Sequence, residues 1–393
     1  MKIALFTETY LPHINGVVTH VHSLRQGLEQ LGHEVLVVCA DHHYQTHQIK
    51  DGVLYCPGYL SKKFYDFTLS KPYSKEREKW VAGFQPDLIH IHTEFGIGIF
   101  GKHMAKVLQV PLVYTLHTMY DDYLYYIAPK PLLGLVKPVS HRYFASFAKA
   151  AAAITGPSQK CQEYVIRIGA DKTVAVIPNP VELDLFDPEK VSNQQKQQVL
   201  NALGLSKDWL IAAFVGRLGK EKSVDVLLDY WAKSVRPEDK IHLLIIGEGP
   251  ERPALEQRCR QLGITDLVTF TGKIPHEELP PYYGICKFYV TASLSDTNSI
   301  SMLEAMAFGL PVLQRLDHLN EDQVQEGKNG FVFNSQAEFQ QKLSQLRIWQ
   351  PQDWQAQAAR VRASVVQKGC TALAGHLLAV YAQALQAKNN VKK

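Results

Sequence analysis

The sequence predicts an α/β protein made of two doubly wound, Rossmann-like domains. Three observations point there. Apolar runs of strand length alternate with helix-length amphipathic segments. The alternation stops at a proline-rich stretch, residues 178–188, and then restarts. The 393 residues suffice for two domains of ordinary size, each with its own core.

In the first half, residues 2–6, 34–40, 87–91, 112–117, 152–155 and 173–177 read as buried strands. Amphipathic stretches lie between them, such as residues 18–31, with Val21, Leu24, Leu28 and Leu31 at helical spacing. Strands alternating with helices argue for a parallel sheet covered on both faces. Pro178, Pro180 and Pro188 argue against helix or central strand, so the linker is placed at 178–188. Residues 209–215, 241–246, 267–270, 288–291 and 311–313 form the second set of strands. Residues 337–349, 351–366 and 371–386 read as closing helices, with Pro351 at the first position of its helix, where no backbone donor is needed. The tail from Lys388 is expected to be disordered.

A hydrophobic fraction of 46% and a charged fraction of 20% fit a soluble globular chain. No apolar run approaches the ~18–20 residues needed to span a bilayer. Met1 to Phe6 runs straight into Thr7-Glu8-Thr9, which reads as a first strand and not a signal peptide. The six cysteines show no CxxC spacing and read as reduced, mostly buried thiols of a cytosolic protein. The 16 histidines do not pair with them at ligand spacing, so no metal site is expected.

The net charge of +4 is unevenly spread. No acid occurs between Asp122 and Glu163, a span that carries Lys130, Lys137, Arg142, Lys149 and Lys160 among aromatic and aliphatic residues. Lys62 and Lys63 open a second basic, aromatic stretch. Such interleaving suits an anionic membrane surface, nucleic acid, or an ordinary solvated face. Membrane contact through Lys62, Lys63, Lys130, Lys137 and Arg142 is the expectation adopted, with no nucleic-acid partner.

Two stretches carry the chemistry. Gly216-Arg217-Leu218-Gly219-Lys220-Glu221-Lys222 follows a strand and puts the cations Arg217 and Lys222 at its mouth. Residues 296–304 place Asp296 and Glu304 eight positions apart across a loop-to-helix junction, with Glu304 expected to begin the helix. Cations suit a diphosphate, and a carboxylate accepting two hydrogen bonds suits a ribose diol. Gly16, between the first strand and a helix expected from Val17, permits close backbone approach to an anion at a helix start. Gly247-Glu248-Gly249 reads as a turn, because Glu248 would repel a phosphate.

The paired stretches resemble those of the retaining GT-B glycosyltransferases of glycosyltransferase family 4. That family has Arg and Lys five positions apart on its diphosphate loop, and a Glu-x7-Glu motif before an Ala-Met-Ala-x-Gly-x-Pro helix. Here Asp296 stands at the first Glu. The resemblance implies two domains facing across a cleft, with the last helices crossing back to the first. The implied bounds are 1–180 plus about 371–393 on the acceptor side, and 181–370 for the nucleotide-sugar. It also implies that Arg217 and Lys222 offset the leaving diphosphate in place of a metal, and that Glu304 takes the ribose. Ser299 and Ile300 would offer backbone N–H groups, and His117 and Asp296 would meet the hexose. Retaining transfer in this fold is taken to proceed on one face of the sugar, with the leaving phosphate accepting the proton. Asp121 and Asp122 are candidates for orienting the acceptor. His90 and His92 read as core or supporting residues.

Residues 114–123 and 296–299 are similar to the bacterial enzymes that glucosylate diacylglycerol. The expected activity is therefore hexose transfer, from UDP-glucose, to a membrane lipid such as diacylglycerol. The enzyme would need no cofactor or metal and would sit peripherally on the inner face of the cell membrane. Three readings remain open: a transferase for a soluble sugar or cell-wall precursor, a UDP-sugar epimerase of the same architecture, and a nucleic-acid binder. A dehydrogenase is disfavoured, because no GxGxxG follows the first strand.

Overall fold

The fold is described from a computed structural model, which covers residues 1–13, 15–61, 67–126, 130–321 and 323–391. The chain divides into two compact units, Met1–Pro180 with Cys370–Lys393, and Val181–Gly369.

The first unit runs β1 (Lys2–Phe6), α1 (Gly16–Gln30), β2 (Glu34–Asp41), β3 (Gln48–Lys50), β4 (Val53–Ser61), β5 (Phe67–Ser70), α2 (Lys75–Phe84), β6 (Leu88–Ile91), α3 (Gly96–Val107), β7 (Leu112–Thr115), α4 (Leu133–Ala150), β8 (Ala153–Gly156), α5 (Gln159–Arg167) and β9 (Val174–Val176). Its strand order is β3-β4-β2-β1-β6-β7-β8-β9, with β5 also on β4. The pairs are parallel except where β3 and β5 meet β4. The segment from β3 to β5 escapes a periodicity search because Pro57 and Gly58 interrupt β4, which nonetheless pairs in parallel with β2.

The second unit holds α6 (Asn193–Leu203), β10 (Leu210–Val215), α7 (Val224–Ser234), β11 (Ile241–Ile246), α8 (Arg252–Leu262), β12 (Val268–Gly272), α9 (Pro280–Ile285), β13 (Phe288–Thr291), α10 (Ile300–Ala307), β14 (Val312–Arg315), β15 (Gly330–Phe333), α11 (Gln336–Arg347) and α12 (Pro351–Ala363). The order β12-β11-β10-β13-β14-β15 is entirely parallel. Renumbered from β10, this is the doubly wound order 3-2-1-4-5-6, whose ligand crevice opens beyond the first and fourth strands. In this unit those strands are β10 and β13.

The last helix, α13 (Cys370–Val391), belongs to the first unit. Its Leu373, Leu377 and Tyr381 share one apolar cluster with Val21, Leu24 and Leu28 of α1. Burying each such leucine contributes ~1.5–3 kcal/mol, enough to bring the chain end back. Gly27 makes the approach possible, because a Cβ there would overlap the Cys370 carbonyl.

Several expectations need correction. Leu31 caps α1 and is exposed, since the helix has already turned its apolar face away. The tail from Lys388 is helical through Val391, as an extension of α13. The strand expected to end at His117 ends at Thr115.

Candidate active site

The two charged loops singled out in the sequence flank the crevice of the second unit. Arg217 follows β10, and Lys222 closes a single 3-10 turn, Lys220–Lys222. Asp296 lies in the loop after β13. The Lys222 Nζ stands 2.5 Å from Asp296 Oδ1, so one predicted cation and one predicted acid meet across 74 residues of sequence. Arg217 Nη1 lies 3.8 Å from Glu221, whose side chain is buried. The Gly247–Gly249 turn supports this loop from below. Its Gly247 has φ 149°. A Cβ at Gly247 would overlap the Gly216 carbonyl, and one at Gly249 the Leu218 carbonyl.

Glu304 sits inside α10 and does not begin it, because the Ser299 side chain caps the helix by accepting from the Met302 N–H. One turn in, Glu304 is buried, held by His276 Nε2 at 2.8 Å and by the Tyr283 hydroxyl, which donates at 3.1 Å. Burial works to lower the His276 pKa, but the Glu304 hydrogen bond and charge reverse this and leave it raised. The Ser299 backbone N–H is not available to a sugar or phosphate. It donates to Gln323 Oε1 at 3.0 Å, and Gln323 returns its Nε2 to the Ser299 carbonyl at 2.8 Å. Ile300 opens α10, where a helix leaves its first amides without carbonyl partners of its own.

In the first unit, α1 begins at Gly16, one residue earlier than expected, because the Asn15 side chain accepts from the Val18 N–H at 3.0 Å. His117 lies two residues beyond β7 and is half-buried. Its ring stacks on His92, with His92 Nδ1 and His117 Nε2 3.1 Å apart. Burial holds the pKa of His117 well below the usual value, and the neighbouring His20 and His90 lower it further. His90 and His92 are fully buried.

Asp121 is occupied. His141 Nε2 lies 2.8 Å from it, Lys137 Nζ 3.0 Å and Arg167 3.7 Å. Burial raises its pKa, but His141 and Lys137 outweigh this and hold it low. Asp121 therefore ties α4 and α5 to the preceding turn. Asp122 is exposed. Lys62 and Lys63 lie outside the described residues, and Lys130 opens a 3-10 turn before α4. Arg142 is exposed on α4, near Leu135 and Val139, which are 72% and 68% exposed. Among the described residues no helix is long and apolar enough to cross a membrane.

Three participants have no local sequence signal. His276 sits in a polar turn, Gln323 in an irregular loop, and Glu94 just past β6. Glu94 accepts from the Tyr114 hydroxyl at 2.6 Å and from Tyr120, and burial pushes its pKa up to about 7.

Residues 14–185 match the description Glycosyltransferase Family 4, and residues 195–353 match Glycosyl transferases group 1. The chain is 32% identical over 356 residues to an alpha-monoglucosyldiacylglycerol synthase of Acholeplasma laidlawii, covering 88% of each protein. It is 30% identical over 319 residues to the synthase of the same name from Streptococcus pneumoniae, covering 80% of this chain and 70% of that one. The solved structure of Anabaena HepE with UDP and glucose superposes with a TM-score of 0.72 at 19% identity, over 97% of this chain and 99% of that one. A family 4 pattern in the first half, a group 1 pattern in the second, and near-full-length relatives make this chain a member of the GT-B glycosyltransferases with family 4 and group 1 parts.

Proposed function

We propose that this enzyme transfers glucose from UDP-glucose to a membrane lipid such as diacylglycerol, with retention at the anomeric carbon. The observation that carries the reading is the Lys222–Asp296 contact at the β10/β13 crevice, with Arg217 on the same loop. In the proposed step the bond between the anomeric carbon and the diphosphate oxygen breaks. The acceptor hydroxyl oxygen bonds to that carbon on the same face, and its proton passes to the departing phosphate. Arg217 and Lys222 offset the negative charge that grows on the leaving group, and such preplaced charge lowers a barrier most where charge develops. Asp296 meets the hexose hydroxyls, and Glu304, held by His276 and Tyr283, accepts from the ribose diol. The family resemblance assigns His117 to the hexose, and the backbone N–H of Ile300 and the turn at Gly16 to the phosphates. The reading includes no metal in the transfer step.

The lipid acceptor is supported by the two synthases named above and by the surface of α4. Leu132, Leu135, Val139 and Arg142 recur at helical spacing and are all exposed, so one face offers apolar side chains beside a cation. That combination suits the headgroup boundary of an anionic bilayer. Peripheral attachment to the inner face of the cell membrane follows.

Incubation with a panel of radiolabelled sugar nucleotides, extracted lipid and soluble sugars tests the reading. Label from UDP-glucose is expected in an organic-phase product with an α linkage by NMR. Label confined to water-soluble products would replace the lipid acceptor by a soluble one. A new sugar nucleotide formed without acceptor would make the protein an epimerase.

A further inference from the structure

We propose that His20, His92 and His117 form a binding site for a borderline divalent transition-metal ion such as Zn2+. The three histidines come from α1 and from the loops after β6 and β7, and each offers a ring nitrogen within 4.8 Å of the others. His20 is 2% exposed and His92 1%, while His117 is partly open. Three histidines with one open position are an established ligand set for zinc.

The hydrogen bonds distinguish this group from an ordinary core network. His90, the next histidine in the cluster, has both nitrogens satisfied, by Tyr381 Oη at 2.7 Å and Thr115 Oγ1 at 2.6 Å. His20 and His92 each leave a buried Nε2 without a hydrogen-bond partner. A buried polar atom left so is costly, and a metal bound through His20 Nε2 would satisfy that one, while His92 would ligate through Nδ1, the nitrogen it turns toward His117. His20 Nδ1 lies 3.0 Å from Asn179 Oδ1. That oxygen can only accept, so it fixes the proton on Nδ1 and turns the Nε2 lone pair into the cluster. This is the outer contact that metal-bound histidines make. Ligands at ~2.0–2.1 Å from zinc stand roughly 3.3 Å apart, so nitrogens within 4.8 Å need to close by at most about 1.5 Å. The pair His92 Nδ1 and His117 Nε2, at 3.1 Å, is already there.

The site goes beyond the transferase reading and does not rest on it. Under that reading, an ion held there would draw His117 from the donor hexose and inhibit transfer.

The full chain, stripped with a chelator, is titrated with Zn2+ by calorimetry without donor or acceptor, and its one-to-one Cu2+ adduct is examined by electron paramagnetic resonance. One ion per chain is expected, with nitrogen hyperfine structure from three imidazoles. His20→Asn and His92→Asn should each weaken binding at least tenfold, and Asn179→Ala by about ten- to a hundredfold through loss of the outer contact. His43→Asn, at the half-exposed Asp41-His42-His43 group, should leave binding unchanged. Thermal melts establish that each variant folds; if His92→Asn does not, His20→Asn and the wild-type hyperfine pattern decide. Absence of binding, fewer than three nitrogens, or binding that survives His20→Asn and is lost in His43→Asn would overturn the proposal.

Discussion

The two units wind their sheets alike but gather opposite chemistry beyond their central strands. In Val181–Gly369 the loops after β10 and β13 bring full charges together, Lys222 with Asp296, and α10 adds the Glu304–His276 pair. In the first unit the corresponding region collects imidazoles whose pKa values are depressed by burial, and carboxyls, Glu8 and Glu94, pushed up to about 7 by burial. A site built of paired ions is suited to exchange its internal partners for a charged ligand. A site built of neutral, desolvated groups is suited to a neutral sugar or, as proposed, to an ion that brings its own charge. The central strand order that the two sheets share therefore leaves the ligand to be decided by what the loops carry.

The sharpest way to break this contrast is to remove a cation. Lys222→Ala and Arg217→Ala are each expected to lower kcat by about a hundredfold or more, the size seen when preplaced charge is removed from a developing anion. Circular dichroism should be unchanged. Turnover that survives both substitutions would remove the diphosphate from this loop.

Next in size is the support beneath Glu304. His276→Gln should raise the donor KM by about tenfold with a smaller change in kcat, and cost ~1–3 kcal/mol of stability from a weakened partner at a buried carboxylate. The pH dependence has a fixed sign. The folded-state pKa of His276 is raised above its ordinary value of 6.5, so its contribution is fully present below 6.5 and is lost as pH rises through the raised value. The stability gap between wild type and His276→Gln, read from urea unfolding, should therefore shrink toward alkaline pH. A gap that grows would contradict the ion pair.

Gly27→Ala tests the chain's return to the first unit. Overlap with the Cys370 carbonyl should cost ~1–3 kcal/mol, seen as a lower Tm. An unchanged Tm would mean that α13 is easily displaced from α1. The smallest effect is expected at the membrane. Arg142→Ala should weaken binding to anionic vesicles by ~1 kcal/mol, and added salt should weaken wild-type binding. Binding indifferent to both would detach α4 from the bilayer.

Much of the fold was legible because strand-length apolar runs bury both faces of a parallel sheet and leave little ambiguity, as at β1, β11 and β13. β4 was not, because its proline and glycine read as a turn until β2 is beside it. In the site, Arg217, Lys222, Asp296 and Glu304 stood out as charges at the edges of apolar segments. His276 and Gln323 did not, because a polar residue in a loop looks the same whether it faces water or a buried partner. Ser299 was misjudged for the same reason, since its amide is spent on a glutamine 24 residues away.

By itself the sequence determined the two α/β halves, the break between them and the charged residues available to a donor, since these depend on local periodicity and residue type. Tertiary structure alone decided which of those groups touch. It set Lys222 against Asp296, tied Asp121 into a network with α4 and α5, and drew His20, His92 and His117 within reach of one another. Contacts between distant segments are fixed by how strands order themselves in a sheet and by which loops that order makes neighbours, and neither is written in any short stretch of chain.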